Sequence, residues 1–513
     1  MVALLQALQR DLFALGHRLK PAPPPEPGLY TYRFGGSGSD RIRVHLRIEP
    51  GGGGVLFVNV TDVIHLNPTA AEFAKWALDG VDKRQAEVRV IARHGRAQRA
   101  HWTRDLDAVY AMVARLAEAE TGCPTCSMME LSGRQTTSET RPALFEVPVT
   151  APYKVDLALT YDCNNDCPHC YNEAERLRLG MMSAEQWKLV IDKLVNIGVP
   201  HLIFTGGEAT LHPDLPEIIG HANQRGPICG LNTNARRLSH RSYAEELASV
   251  GLNHVQVTLG SHRPEVHDRM MNARCFDQTV RGIQTAIESG LHTITNTTLM
   301  QMNAEEIELT IDFLHDLGIR TFAVNGMIYS GGGFSSGQAI PEEKMAPILI
   351  RIRDKAAQRG MRFLWYTPTM YCRLSPVELE IGAKRCNAGE YSMCVEPNGD
   401  VLPCQSYYVA AGNLLKDRWE SIWDSDLFLG FRDRELNPAT SGLPEMCWDC
   451  PDLPLCGGGC RIEREAQEGV RVAGGCSSGG CGGCSSGKGK EPQVVNLSLP
   501  VTARRGSGEF ADR

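Results

Sequence analysis

The chain lacks any run of about 20 apolar residues, the length a helix needs to cross a bilayer, so no membrane-spanning segment is expected. It also lacks an excess of positive charge: 53 Lys and Arg against 60 Asp and Glu leave a net charge of −7. A general nucleic-acid surface needs a basic stripe, so neither nucleic acid nor membrane is expected as a partner. Met1–Leu15 alternates apolar residues with Gln, Arg and Asp at helical spacing and has no apolar signal core. These absences point to a cytoplasmic protein. Structural disulfides are rare in that compartment, so 18 cysteines indicate metal or redox chemistry.

At 513 residues the chain exceeds one ordinary domain. Residues 1–28 read as a helix and a linker, Pro21–Pro27, too rich in proline for helix or sheet. Residues 29–120 read as a small domain. Its predicted strands are Tyr30–Phe34, Arg41–Ile48 and Val55–Val60. Asn67-Pro68 opens a helix that Gly80 ends, and Arg104–Glu120 forms a last helix. Three strands and about three helices predict a winged-helix-like unit. Residues 121–150 form a linker carrying Cys123 and Cys126.

Across residues 151–370 strands and helices alternate. Strands fall near 155–160, 201–205, 227–232, 254–259, 292–299 and 321–327, with helices near 183–197, 213–225, 240–250, 275–289 and 304–317. Such alternation predicts an α/β fold with a parallel sheet. Six units fall short of a closed eight-stranded barrel, so a partial (β/α)6 barrel is expected, with its site at the C-terminal strand ends. Residues 371–478 are rich in cysteine, and 479–513 form a Gly/Ser/Cys-rich tail.

Directly after the first of these strands come Cys163, Cys167 and Cys170. Three thiolates on one loop hold three irons of a cubane cluster that ordinarily takes four cysteines, leaving one iron open. The spacing resembles the radical S-adenosylmethionine (SAM) superfamily, which implies a 4Fe-4S cluster whose open iron chelates the amino and carboxylate groups of SAM. The same resemblance gives cofactor-binding roles to His169 beside the adenine and to Gly206, Gly207 and Glu208 at the methionine amino group. Asn234, in a Thr-Asn-Ala version of the family's Thr-Asn-Gly, Thr258, and Arg269 as a carboxylate clamp complete the set. Alone, Gly-Gly-Glu reads equally as a turn, His169 as structural and Arg269 as a solvated helix charge.

A second array comprises Cys386, Cys394, Cys404, Cys447, Cys450, Cys456, Cys460 and Cys476. Its spacings, with Gly399 five residues before Cys404, resemble the SPASM domain of peptide- and protein-modifying radical enzymes. That resemblance implies one auxiliary cluster on Cys386, Cys394, Cys404 and Cys460 and another on Cys447, Cys450, Cys456 and Cys476. Cys-x-x-Cys pairs also build zinc sites, which stays as the alternative. Gln405 stands where sulfatase-maturing relatives carry a catalytic aspartate, arguing against that activity. Cys229, Cys275 and Cys372 read as unpaired cysteines without a function. Cys481 and Cys484 could join Cys123 and Cys126 in a further metal site.

The stretch Val63–Phe73 resembles the peptide chaperone of pyrroloquinoline quinone biosynthesis, which implies a leader-binding domain that adds the leader as a strand. Together the resemblances imply a radical SAM/SPASM oxidoreductase acting on a ribosomally made precursor peptide, with a flavodoxin- or ferredoxin-type reductant. The alternatives are oxidation of a small molecule or protein side chain without a leader, and a non-catalytic electron-transfer protein.

Overall fold

The computed structural model describes residues 23–34, 42–59, 62–94, 99–118 and 149–467. Cys123, Cys126, Cys476, Cys481, Cys484 and the first helix lie outside the described residues.

The N-terminal domain holds a four-stranded antiparallel sheet, β1 Gly28–Phe34, β2 Ile42–Ile48, β3 Gly54–Val58 and β4 Asp62–Leu66, in that order. The expectation was three strands. β4 is the addition, and its alternating Val63 and His65 were read only as part of a motif. Three helices follow: α1 Pro68–Leu78, α2 Lys83–His94 and α3 Arg99–Glu118. As the sequence indicates, the Asn67 side chain accepts from the Ala70 N–H at 2.9 Å, and Pro68 occupies the first turn.

Every residue of β2 is buried. Ile42, Val44, Leu46 and Ile48 face the helices. The polar alternates Arg43, His45 and Arg47, which a two-period pattern would send to water, instead lie against the following domain. Arg43 donates to the Pro227 carbonyl at 2.5 Å and to Asn223 Oδ1 at 2.9 Å, and His45 Nε2 meets the Gly226 carbonyl at 3.0 Å. Arg47 donates to the Ala151 carbonyl at 3.0 Å, pairs with Glu49 at 2.8 Å and lies 4.9 Å from the Tyr153 ring centre. Burial holds His45 at about pH 4, so it is neutral there at neutral pH.

The second sheet has ten strands. β5 Lys154–Thr160, β6 His201–Gly206, β7 Ile228–Thr233, β8 His254–Thr258, β9 His292–Thr298 and β10 Thr321–Asn325 are the six expected parallel strands. β11 Arg362–Trp365 adds a parallel strand beside β10. At the other edge β12 Ser392–Val395 pairs in parallel with β5, and β13 Asp400–Leu402 and β14 Gly412–Asn413 continue antiparallel. The cysteine-rich region thus shares one sheet with the barrel. Among the described residues no helix is long and apolar enough to cross a membrane.

Hydrogen bonds to charged groups contribute about 1.5–3 kcal/mol each, and a buried group left unpaired costs a similar amount. Arg47→Met is therefore expected to loosen the N-terminal sheet by about 2–4 kcal/mol. Hydrogen exchange of β2 amides should report that loss, and unchanged protection would contradict the docking role of Arg47.

Candidate iron–sulfur and cofactor site

The loop Cys163–Cys170 leaves the C-terminal end of β5 and is fastened from three sides. From β7, Asn234 Nδ2 donates to Asn164 Oδ1 at 2.6 Å, while Arg236 donates to the Asn164 carbonyl and to Asn165 Oδ1. From the helix Pro264–Met271, the Met271 carbonyl accepts from Asp166 N–H at 3.1 Å and the Met271 sulfur lies 3.5 Å from Cys167 Sγ. From beyond β10, Gly332 N–H donates to the Cys170 carbonyl at 2.7 Å. A Cβ on Gly332 would stand 2.4 Å from the Pro168 carbonyl, so this clamp requires glycine. The signal for this clamp in the sequence is Gly331-Gly-Gly, shortly after β10.

Gly206 and Gly207 serve the root of the loop. A Cβ would lie 2.0 Å from the Thr160 carbonyl at Gly206 and 2.4 Å from the Tyr161 carbonyl at Gly207. Their N–H side is used as well: Gly207 donates to Thr160 and Glu208 to Asp162, both at 2.8 Å. The Glu208 carboxylate is buried and takes four donors: Thr210 N–H at 3.0 Å, Thr210 Oγ1 at 2.7 Å, Thr233 Oγ1 at 2.8 Å and Asn234 N–H at 2.8 Å. It latches the end of β6 to the end of β7. Ala235, where the family pattern has glycine, takes a left-handed φ of 61°, a conformation that costs a non-glycine residue about 1–2 kcal/mol.

Thr258 ends β8 half-buried. It shares a face with Gln256, Asn296, Thr298 and Asn325, whereas the alternate Val255, Val257 and Val324 enter the main core. A polar strip therefore runs along that face, with Asn296 Oδ1 buried and unpartnered. His169 Nδ1 is likewise buried without a partner, and desolvation lowers this histidine so that it is neutral. Arg269 lies in the last turn of its helix, exposed.

The thiols show what the loop can hold. Cys163 is open to solvent at the mouth, yet desolvation by the loop walls and then the Glu208 carboxylate push it up to about 12. Desolvation, then Cys170 and Cys163, raise Cys167, and desolvation raises Cys170. A nucleophilic cysteine needs a lowered pKa. These three need a cation to become thiolates, and a coordinated metal deprotonates such thiols outright. With the orphaned His169 nitrogen on the same loop and the orphaned Asn296 oxygen on the polar strip of the sheet, the residues fit an iron–sulfur cluster and a polar cofactor.

The second array divides into groups. Cys386, Cys404 and Cys460 pack together with Tyr407, Phe431 and Ile462, and desolvation, then Cys386, raise Cys460. Arg434, Arg461 and Arg464 line a small cavity beside Cys386, suited to the negative charge of a thiolate-bound cluster. Cys394 sits on β12, buried with Ala158, Tyr161 and Leu402, and has Asp156, Glu396 and Cys404 as neighbours. Cys447 and Cys450 share an apolar shell with Met370, Leu443 and Leu453, and Cys456 and Cys372 are electrostatic neighbours of Cys447.

A partial parallel barrel with a three-cysteine loop at its strand ends and a cysteine-rich continuation of the same sheet defines an iron–sulfur enzyme. Residues 157–314 match the Radical SAM superfamily and residues 386–451 the SPASM iron-sulfur cluster-binding domain. The chain is a radical SAM enzyme with a SPASM domain, and its cofactors are 4Fe-4S clusters and SAM. It is 28% identical to Fe-coproporphyrin III synthase of Methanosarcina barkeri over 337 residues, 61% of this chain and 84% of the relative. It is 27% identical to PqqA peptide cyclase of Streptomyces rochei over 322 residues, 61% of this chain and 86% of the relative. The fold resembles Streptococcus suis SuiB bound to the precursor peptide SuiA, with TM-score 0.61 and 18% identity over 84% of this chain and 96% of that one.

Glu208→Gln places N–H donors where the other donors converge. It is expected to cost about 2–4 kcal/mol and to reduce the iron retained by the Cys163 loop. A wild-type urea midpoint with wild-type iron content would refute the latch.

Proposed function

We propose that the enzyme modifies a ribosomally made peptide, crosslinking or oxidising it, after the leader docks on the N-terminal sheet. The observation that carries this reading is β4. Among the described residues it is one of the two outer strands of a sheet whose β2 face is pinned to the barrel, and its Val63 is 43% exposed. An unpaired edge is a template for another strand. The barrel, residues 151–370, would then carry the chemistry and residues 371–478 the auxiliary clusters, with 29–120 as the recognition domain.

Cys163, Cys167 and Cys170 would hold the cluster. SAM would lie against Gly206, Gly207, Asn234, Thr258 and His169, with Arg269 turning toward its carboxylate. The chemistry supplied there is reductive cleavage of SAM to methionine and a 5′-deoxyadenosyl radical able to remove a hydrogen atom. The chain's part is positional. Glu208 fixes two strand ends, Asn234 and Arg236 hold the loop still, and neutral His169 packs without donating charge. A flavodoxin- or ferredoxin-type reductant in the cytoplasm would supply the electron.

Similarity to Fe-coproporphyrin III synthase favours a small-molecule substrate, but it covers 61% of the chain. The likeness to SuiB with its precursor peptide covers 84%, more than residues 149–513 can supply, and so reaches into the N-terminal domain.

The test is anaerobic turnover with short peptides from any small reading frame that adjoins this gene, read by mass spectrometry. Loss of pairs of hydrogens from the peptide is expected. Val63→Asp combined with His65→Asp should weaken peptide binding by about tenfold, about 1.4 kcal/mol, while SAM cleavage without peptide stays at the wild-type rate. Unchanged peptide affinity in this variant would overturn docking at β4.

A further inference from the structure

We infer that Cys372 is an iron ligand of the SPASM domain, completing a four-thiolate site with Cys447, Cys450 and Cys456. This goes beyond the peptide reading and stands on the packing of the turn that carries Cys372 against the Cys447–Cys456 loop.

Cys372 lies outside the matched SPASM segment, 386–451, and its neighbours in sequence contain no second cysteine. The fold brings it in. Met370–Arg373 forms a tight turn, with Arg373 N–H donating to the Met370 carbonyl at 2.8 Å. This turn presses on the cysteine loop at three points. Tyr371 N–H donates to Cys456 Sγ at 3.3 Å, and the Thr369 carbonyl lies 3.6 Å from the same sulfur. Met370 packs with Cys447, Cys450, Leu443 and Leu453. A Cβ on Gly459 would meet Met370 Cγ at 2.9 Å and its nitrogen at 3.0 Å, so the turn and the loop are in direct backbone contact.

The Cys372 sulfur is then an electrostatic neighbour of both Cys447 and Cys456. Cys447 is in turn a neighbour of Cys450 and Cys456, which makes four thiols in one group. Gly457, Gly458 and Gly459 all have φ between 61° and 73°. This wraps the chain around Cys456, with the Gly459 N–H donating to the Cys456 carbonyl at 3.4 Å. The Tyr371 N–H on this sulfur suits a metal-bound thiolate, and such bonds tune cluster potentials. A cubane ordinarily takes four cysteines. The fourth place that the family resemblance gives to Cys476 is filled here from upstream, by a residue on the connection between β11 and β12.

The test is iron and sulfide content of anaerobically reconstituted protein, with no substrate involved. Wild type should bind about twelve of each, Cys372→Ser about eight, and Cys476→Ser about twelve. Perturbation of the reduced EPR spectrum by SAM should persist in Cys372→Ser, showing the Cys163 loop intact. Cys372→Asp should keep iron but shift one auxiliary EPR signal. Wild-type iron content and signals in Cys372→Ser would overturn the assignment. So would iron loss extending to all three clusters, because the role claimed is local.

Discussion

β5 is the strand on which both metal-binding regions depend. It pairs on one side with β6, whose end carries the Gly206-Gly207-Glu208 turn, and on the other with β12, which carries Cys394. Its own end delivers Cys163. Parallel strands of this kind are buried on both faces and cannot shift by one residue without turning core side chains outward. Leu157 and Leu159 face one side of the sheet and Ala158 the other, all buried. The radical loop and the SPASM domain are thus set in register by the same ladder of hydrogen bonds.

Electrostatics complements that scaffold. The protein raises the pKa of the thiols in both cysteine regions, so it does not stabilise free thiolates and leaves that task to bound iron. Around the auxiliary cysteines it supplies compensating charge. Arg385 and Arg434 are held by Glu390 at 2.6 and 3.1 Å, and Arg464 lies beside Cys460 and Cys386. Buried ion pairs add little net stability. Here they keep positive groups rigid next to a site whose charge changes with redox state.

Much of this was legible in the sequence because the relevant residues are close together. The Cys163–Cys170 spacing, the β-strand alternation and the Asn67-Pro68 cap are local signals, and each appears where expected. What the sequence hides are roles set by distant partners. Arg43, His45 and Arg47 alternate with apolar residues like a solvent-facing strand, and only the barrel carbonyls they meet show otherwise. The Glu208 carboxylate also joins Thr210, Thr233 and Asn234, a latch between strand ends that no local pattern shows. Cys372 reads as a solitary cysteine because Cys447 and Cys456 are far away in sequence.

The central claim is that the Cys163 loop supports radical formation from SAM. The most direct measurement is 5′-deoxyadenosine released when reconstituted protein is incubated anaerobically with dithionite and SAM. Release by the wild type, and none by Cys163→Ala, Cys167→Ala or Cys170→Ala, is the predicted result. An iron-loaded wild-type protein that yields no 5′-deoxyadenosine would contradict it.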